Sequence, residues 1–205
     1  MTLTPLNELK GLKSLTLNGN RISEINLNLP ILTSLSLNAN RLTSISGLRG
    51  LKKLEELSIE SNLIEDASMQ DLGFMLISLT ELNLGGNKIG RISRLVGYPW
   101  LKKLTLDRNP ITAIEANAFR DCSHLELLSI CEIKLPNYTG DLRFLRACSN
   151  LEELWMNQSF VGRDLADVSG FPDLFKIRKF YMRDVGLIRT TDLHFKMPLL
   201  EVLDL

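Results

Sequence analysis

One phrase returns five times between Leu12 and Ile111 and dictates what kind of object this chain can become. It runs Leu-x-x-Leu-x-Leu/Ile-x-x-Asn-x-Leu/Ile. It reads Leu12, Leu15, Leu17, Asn20, Ile22; then Leu32, Leu35, Leu37, Asn40, Leu42; then Leu54, Leu57, Ile59, Asn62, Ile64. Leu79, Leu82, Leu84, Asn87, Ile89 and Leu101, Leu104, Leu106, Asn109, Ile111 complete the set. Apolar residues at positions 4 and 6 of the phrase alternate with polar ones at 3, 5 and 7. That period of two marks a short strand with one buried face. A unit this short cannot enclose its own leucines. Stacked units can, because each leucine packs on its counterparts above and below and one continuous core results. Full burial of each such side chain is worth roughly 1.5–3 kcal/mol. The strands then form a parallel sheet with neighbours about 4.8 Å apart.

The asparagine follows the strand, where the chain turns away and its backbone groups lose their sheet partners. An amide side chain donates and accepts at once, so stacked asparagines can satisfy those groups, as buried polar groups require. All five therefore belong to the scaffold. The phrase continues with Leu125, Leu128, Ile130, then Leu151, Leu154, Met156, then Ile177, Phe180, Met182, and starts again at Leu200, Leu203, Leu205. The asparagine position now holds Ile133, Ser159 and Val185, so a less regular turn is expected in the last third. Successive phrase starts are 20, 22, 25, 22, 24, 26, 26 and 23 residues apart. The longer late units predict more helix on the outer face, with Asp141–Cys148 (capped by Asp141) and Arg163–Ser169 as the segments that would supply it.

These repeats resemble the leucine-rich repeat family. The resemblance implies an α/β solenoid: a right-handed superhelix with a parallel sheet on the concave face and helices and turns on the convex face. It implies a single domain over 1–205, about eight repeats and a truncated ninth, regular over 9–114 and more divergent over 115–205. The early units, such as Leu35-Ser-Leu-Asn-Ala-Asn-Arg-Leu-Thr-Ser-Ile-Ser-Gly-Leu, are similar to the intracellular class found in regulatory subunits of protein phosphatase 1 and in axonemal proteins. Ile114–Leu128 instead resembles units of secreted and cell-surface members. The Cys-x-x-Leu phrases at Cys122 and Cys148 are weakly similar to repeats of ubiquitin-ligase adaptors.

Lys plus Arg and Asp plus Glu both total 24, with no basic run. Nucleic acid is disfavoured as a partner, since its binding leans on neutralising phosphates. No stretch approaches the roughly 18 apolar residues of a membrane span. The opening Met-Thr-Leu-Thr-Pro-Leu-Asn-Glu lacks the basic and apolar regions of a signal peptide. Three residues before each phrase lie Leu9, Leu29, Leu51, Leu76, Tyr98, Cys122, Cys148, Leu174 and Met197. That column is apolar throughout, so Cys122 and Cys148 read as small buried hydrophobes, and Cys131 as partly exposed. An odd cysteine count favours a reducing, cytoplasmic setting. The sequons at Asn137 and Asn157 read as chance without a secretion signal, and an extracellular or cell-surface location is the alternative.

No catalytic constellation stands out. His124 and His194 belong to the outer face or its turns, and one Cys-x-His pair is poor ground for zinc. Gly85-Gly86-Asn87 follows a strand but lacks the lysine and serine of a phosphate loop, so it reads as a tight turn. The expectation is a chain with no catalysis, no metal and no cofactor.

Strand positions 3, 5 and 7 should line the concave face, free of core duties. Position 5 runs from small polar residues to Trp155 and Tyr181 on adjacent strands. Leu127 lies diagonal to Trp155, and Phe160 just past the strand could extend the patch. Aromatics of this kind anchor interfaces; the alternative is that the two rings merely stack as a local plug. Glu153, Lys179, Arg183 and Asp184 are the rim charges expected to orient a partner. Leu205 falls in mid-strand, which predicts an apolar edge. That edge would continue into a longer repeat protein or pair end to end with another copy. The functional expectation is a scaffold or regulatory module gripping a protein on its concave face. The alternatives are a recognition receptor or adhesin, and a substrate-recognition module of a larger enzyme such as a ubiquitin ligase.

Overall fold

Alternation sets three residues of each phrase in a strand, at positions 3 to 5, before the turn takes over. A computed structural model describes residues 3–66, 76–136, 142–161, 171–185 and 197–205. Among them the strands are β1 (Ser14–Thr16), β2 (Ser34–Ser36), β3 (Glu56–Ser58), β4 (Glu81–Asn83), β5 (Arg91–Ile92), β6 (Lys103–Thr105) and β7 (Ala113–Ile114). β8 (Leu127–Ser129), β9 (Leu135–Pro136), β10 (Glu153–Trp155), β11 (Phe160–Val161), β12 (Lys179–Tyr181) and β13 (Val202–Asp204) follow. The nine phrase strands form one sheet in the order β1-β2-β3-β4-β6-β8-β10-β12-β13. Every pairing is parallel and joins like to like: Leu15 to Leu35, Leu35 to Leu57, Leu57 to Leu82, and so on to Leu154 with Phe180 and Phe180 with Leu203. β5 pairs with β7 and β9 with β11 in two small sheets of their own.

The spacing of the leucines explains the core. Leu35, Leu57, Leu82, Leu104, Leu128 and Leu154 are buried, as are the position-6 residues from Leu37 to Met182. In the first rung Leu12, Leu15 and Leu17 are only partly covered. The column three residues before each phrase turns the chain into the strand. In every repeat the N–H of the phrase's first residue bonds the carbonyl of that column, as Leu32 bonds Leu29 and Leu151 bonds Cys148. Cys122 and Cys148 are buried there as free thiols, each pushed up to about 12 mainly by burial.

The asparagines do what the spacing predicts, with a direction that it does not. Asn109 donates to Leu106 and Asp107 in its own repeat and to Leu84 in the one before. Its Oδ1 accepts the N–H of Ile89, also in the repeat before, at 3.1 Å. Asn40, Asn62 and Asn87 repeat this pattern on Ile22, Leu42 and Ile64. Asn20, in the first rung, is exposed and bonds only Leu17 and Asn18. Ser159 keeps half of the function: buried, it donates to Ile130 of the previous repeat at 2.6 Å.

Turn geometry does not decay in the last third, contrary to expectation. The residue before the asparagine position has positive φ in all eight complete phrases: Gly19, Ala39, Ser61, Gly86, Arg108, Glu132, Gln158 and Asp184. The bend is held by backbone as well as by asparagine. The N–H of Glu132 bonds the carbonyl of Asn157, and that of Gln158 bonds Arg183. Neither bond needs the amide side chain. Gly86, at φ 62°, confirms a tight turn where no phosphate loop exists.

The outer face carries short 3-10 helices at Thr4–Glu8, Ser46–Leu48 and Arg143–Ala147. The last corresponds to the helix predicted over Asp141–Cys148. Five residues make a 3-10 helix, which suits short pieces, and its N-cap is Leu142 with no side-chain bond. Asp141, His194, Asn137 and the predicted helix Arg163–Ser169 lie outside the described residues.

Candidate functional site: the concave sheet

The strands turn positions 3, 5 and 7 outward, and those side chains are not free of structural duty. Position 7 runs a second ladder. Asn18 Oδ1 accepts the Ser36 hydroxyl and the Asn38 N–H, both at 2.7 Å. Asn38 does the same for Ser58 and Glu60, and Asp107 for Ser129 and Cys131. Asn157 accepts the N–H of Arg183. Ser36, Ser58 and Ser129 of position 5 thus tie their rungs to the one before. Asp107 fills the place that Asn18, Asn38 and Asn157 hold as neutral amides, and burial raises its carboxyl above the usual carboxylate range.

The charges on this face are paired along the stack. Lys103 meets Glu81 at 2.6 Å and Lys179 meets Glu153 at 2.5 Å. Arg183 meets Asp204 at 2.6 Å, and Arg108 meets Glu60. Hydrogen bonding to these carboxylates raises the pKa of Lys103, Lys179 and Arg183. Three of the four expected rim residues are therefore engaged within the chain. The fourth, Asp184, accepts a bond from the Gln158 amide at 3.0 Å.

Trp155 and Tyr181 occupy equivalent places on β10 and β12. Their rings stack, with centroids 4.0 Å apart and planes 23° from parallel. Both remain half-exposed. The Trp155 indole N–H is buried and finds no acceptor among the described residues. Leu127 is half-exposed on the neighbouring β8.

 In the register of β8 with β10, Leu127 lies beside Glu153, one strand from the stacked rings. Phe160 is not on this sheet. It sits in β11, paired with Leu135 of β9 and packed partly against the core, because the turn at Gln158 has already carried the chain off the concave face. The structure therefore brings together Trp155, Tyr181, Leu127, Glu153 and Lys179, with Arg183 and Asp184 at the strand exit, and sets Phe160 apart. A shallow depression of about 450 Å³ lies on the same sheet nearer the first strands, floored by Ser36, Ser58, Asn83 and Thr105.

One apolar feature escaped the sequence reading. Ile77, Trp100, Phe175 and Leu199 are at least half exposed on the turns that lead into β4, β6, β12 and β13. Trp100 rests on His124 of the next repeat, with ring centroids 5.2 Å apart. The only signal was an apolar residue one or two places before a phrase, where most repeats carry a polar one. Cys131 is half-buried, as expected. Among the described residues no three of His, Cys, Asp and Glu gather as a metal site, and no helix is long and apolar enough to cross a membrane.

Residues 32–72 and 77–118 match the family model of leucine-rich repeats, in two copies. No curated protein matches the chain by sequence. Among solved structures, an internalin (inlF) of Listeria monocytogenes is similar over 100% of this chain, with a TM-score of 0.82 and 25% identity. This chain spans 57% of that internalin's length. Internalin C2 of the same organism matches 95% of this chain and 80% of its own, with a TM-score of 0.76 and 22% identity. A chain in an octameric complex of latrophilin 3, Unc5D and FLRT2 (its leucine-rich repeat) matches 96% of this chain and 68% of its own, with a TM-score of 0.76 and 23% identity. The fold is that of a leucine-rich repeat solenoid.

Proposed function

We propose that this chain is a non-catalytic module that grips another protein on its concave sheet, with Trp155 and Tyr181 as the anchor. The observation that carries the reading is the stacked, half-exposed aromatic pair at the one stretch of the sheet where position 5 turns from small to large. Aromatic side chains bring large contact area at low entropic cost and dominate interface energetics. Leu127 adds an apolar shoulder, and Glu153, Lys179, Arg183 and Asp184 form a polar rim, which confers orientation more than affinity. Phe160 has no part in this anchor. The likeness of residues 9–114 to intracellular repeats favours a regulatory subunit or scaffold inside the cell.

The test is the pair Trp155→Ala and Tyr181→Ala in one chain. A partner isolated with the native chain, then purified, should bind the double variant at least tenfold more weakly. Thermal unfolding should move by only a few degrees. Retained binding refutes the anchor. A collapse in stability instead assigns both rings to the scaffold.

A further inference from the structure

We propose that the concave sheet takes a basic segment of its protein partner. This rests on the concave-face reading above and adds the sign of the charge it selects. Every cation on the wall is cancelled in place: Lys103 by Glu81, Arg108 by Glu60, Lys179 by Glu153 and Arg183 by Asp204. Once those pairs are set aside, the outward positions keep Glu56, Asp107, Glu132 and Asp184 and no cation. Asp107 is committed to the Ser129 hydroxyl and the Cys131 N–H. The other three are exposed. Neither Glu56 nor Glu132 has an ion-pair partner among the described residues, and Asp184 meets only the neutral Gln158 amide.

The column of residues just before the strands does not make up the difference. Lys102 pairs with Glu126, and Arg178 with Glu152 and Glu201, which leaves Lys13 against Glu55. Over the strand positions the inner wall is thus net negative, while Arg21, Arg41, Lys88 and Lys134 stand one place past the asparagine position, at the edge of the turns. Pairs already formed at a surface contribute little field beyond themselves, whereas uncompensated carboxylates set the potential a partner meets. Glu56 stands on β3, Glu132 just past β8 and Asp184 just past β12. Five steps across the sheet separate the first from the last, or roughly 24 Å at strand spacing. About seven residues of extended chain cross that distance, placing cations along the line and an apolar or planar group on the Trp155–Tyr181 stack.

The probe is a fluorescein-labelled twelve-residue peptide of alternating Lys and Ser with a central Leu, beside its Glu-for-Lys and Gln-for-Lys counterparts. The host carries Trp100→Phe, so that Trp155 is its sole tryptophan. Anisotropy reports binding and Trp155 emission reports contact with the anchor. The lysine peptide should bind and shift the emission, and the glutamate peptide should do neither. Glu56→Gln, Glu132→Gln and Asp184→Asn together should weaken the lysine peptide by about tenfold at low ionic strength. The same number of neutralisations off the sheet, Glu8→Gln, Glu24→Gln and Glu65→Gln, should leave it nearly unchanged. Far-UV circular dichroism checks that each variant is folded.

The inference is overturned if no lysine peptide binds, if the glutamate peptide binds as well, or if the triple variant keeps native affinity. Emission that responds to the glutamine or glutamate peptide sinks the charge preference while leaving the concave anchor standing. Lysine-peptide binding that the triple variant loses, but that neither moves Trp155 emission nor weakens in Trp155→Ala/Tyr181→Ala, supports the charge and removes the anchor.

Discussion

Asn109→Ala should be among the more damaging single changes in the chain, and Asn20→Ala among the milder, although the two residues hold the same place in the repeat. Asn109 is 1% exposed. Its removal strips the Ile89 N–H of its acceptor and the Leu84 carbonyl of its donor, and both lie in the sealed interior between rungs. Each buried group left without a partner costs about 1–3 kcal/mol. Two of them, with the lost bonds to Leu106 and Asp107, give about 3–5 kcal/mol. For a chain of this size that corresponds to a fall of roughly 6–20 °C in Tm. Asn20 is exposed and serves only Leu17 and Asn18 of its own rung. Water can replace those bonds, so Asn20→Ala should cost about 1 kcal/mol or less. Urea denaturation followed by circular dichroism measures both variants against the native chain. Equal losses at the two positions would refute the idea that the amide acts by serving the rung before it.

Other perturbations probe the core, the concave ladder and the thiols. Leu82→Ala, at a residue 2% exposed, should cost about 2–5 kcal/mol, whereas Thr105→Ala on the concave face should stay within about 0.5 kcal/mol; the same urea titration compares them. Asp107→Asn should raise Tm at neutral pH, because burial disfavours the carboxylate while the amide keeps the acceptor that Ser129 and Cys131 use. The sign follows from the raised folded-state pKa: the native chain carries an unfavourable charge above it and is relieved as pH falls through it. The advantage of the variant should therefore shrink on acidification, and a gain that grows toward low pH would contradict the assignment. A thiol reagent at pH 8 should modify Cys131 first, and Cys122 and Cys148 only on unfolding, since burial holds both near 12; equal rates for all three would count against their packing.

Strand position, register and core were legible because they rest on a period that a single chain displays. Leu57 and Leu82 meet because they hold the same place in successive phrases, and nothing further is needed to pair them. The ladder on the concave face was hidden. Asn18 and Ser36 are each unremarkable polar residues, and their bond becomes visible only when a neighbour 18 positions away is brought alongside. The left-handed turn was hidden for another reason. Gly19 and Gly86 hint at it, but Arg108, Glu132 and Gln158 adopt the same conformation without any compositional sign. Backbone bonds to the next rung hold them there, so the local preference of the residue is overridden. Ser159 shows the reverse: it reads as a lost asparagine, yet its hydroxyl still reaches the carbonyl that the amide would have taken. Of the anchor, the adjacency of Trp155 and Tyr181 was legible from spacing. The displacement of Phe160 was not, because it depends on where the turn takes the chain.

Because each amide completes the turn of the rung behind it, the solenoid has a grammar as well as a shape. A duplication or excision that runs from one left-handed residue to the next hands every borrowed bond to an equivalent lender, and the seam closes. A join between unequal places of the repeat strands a donor or an acceptor in the dry interior. Such a chain can lengthen or shorten in whole units during its history without re-inventing its interior, while the residues that face the hollow are left to diverge.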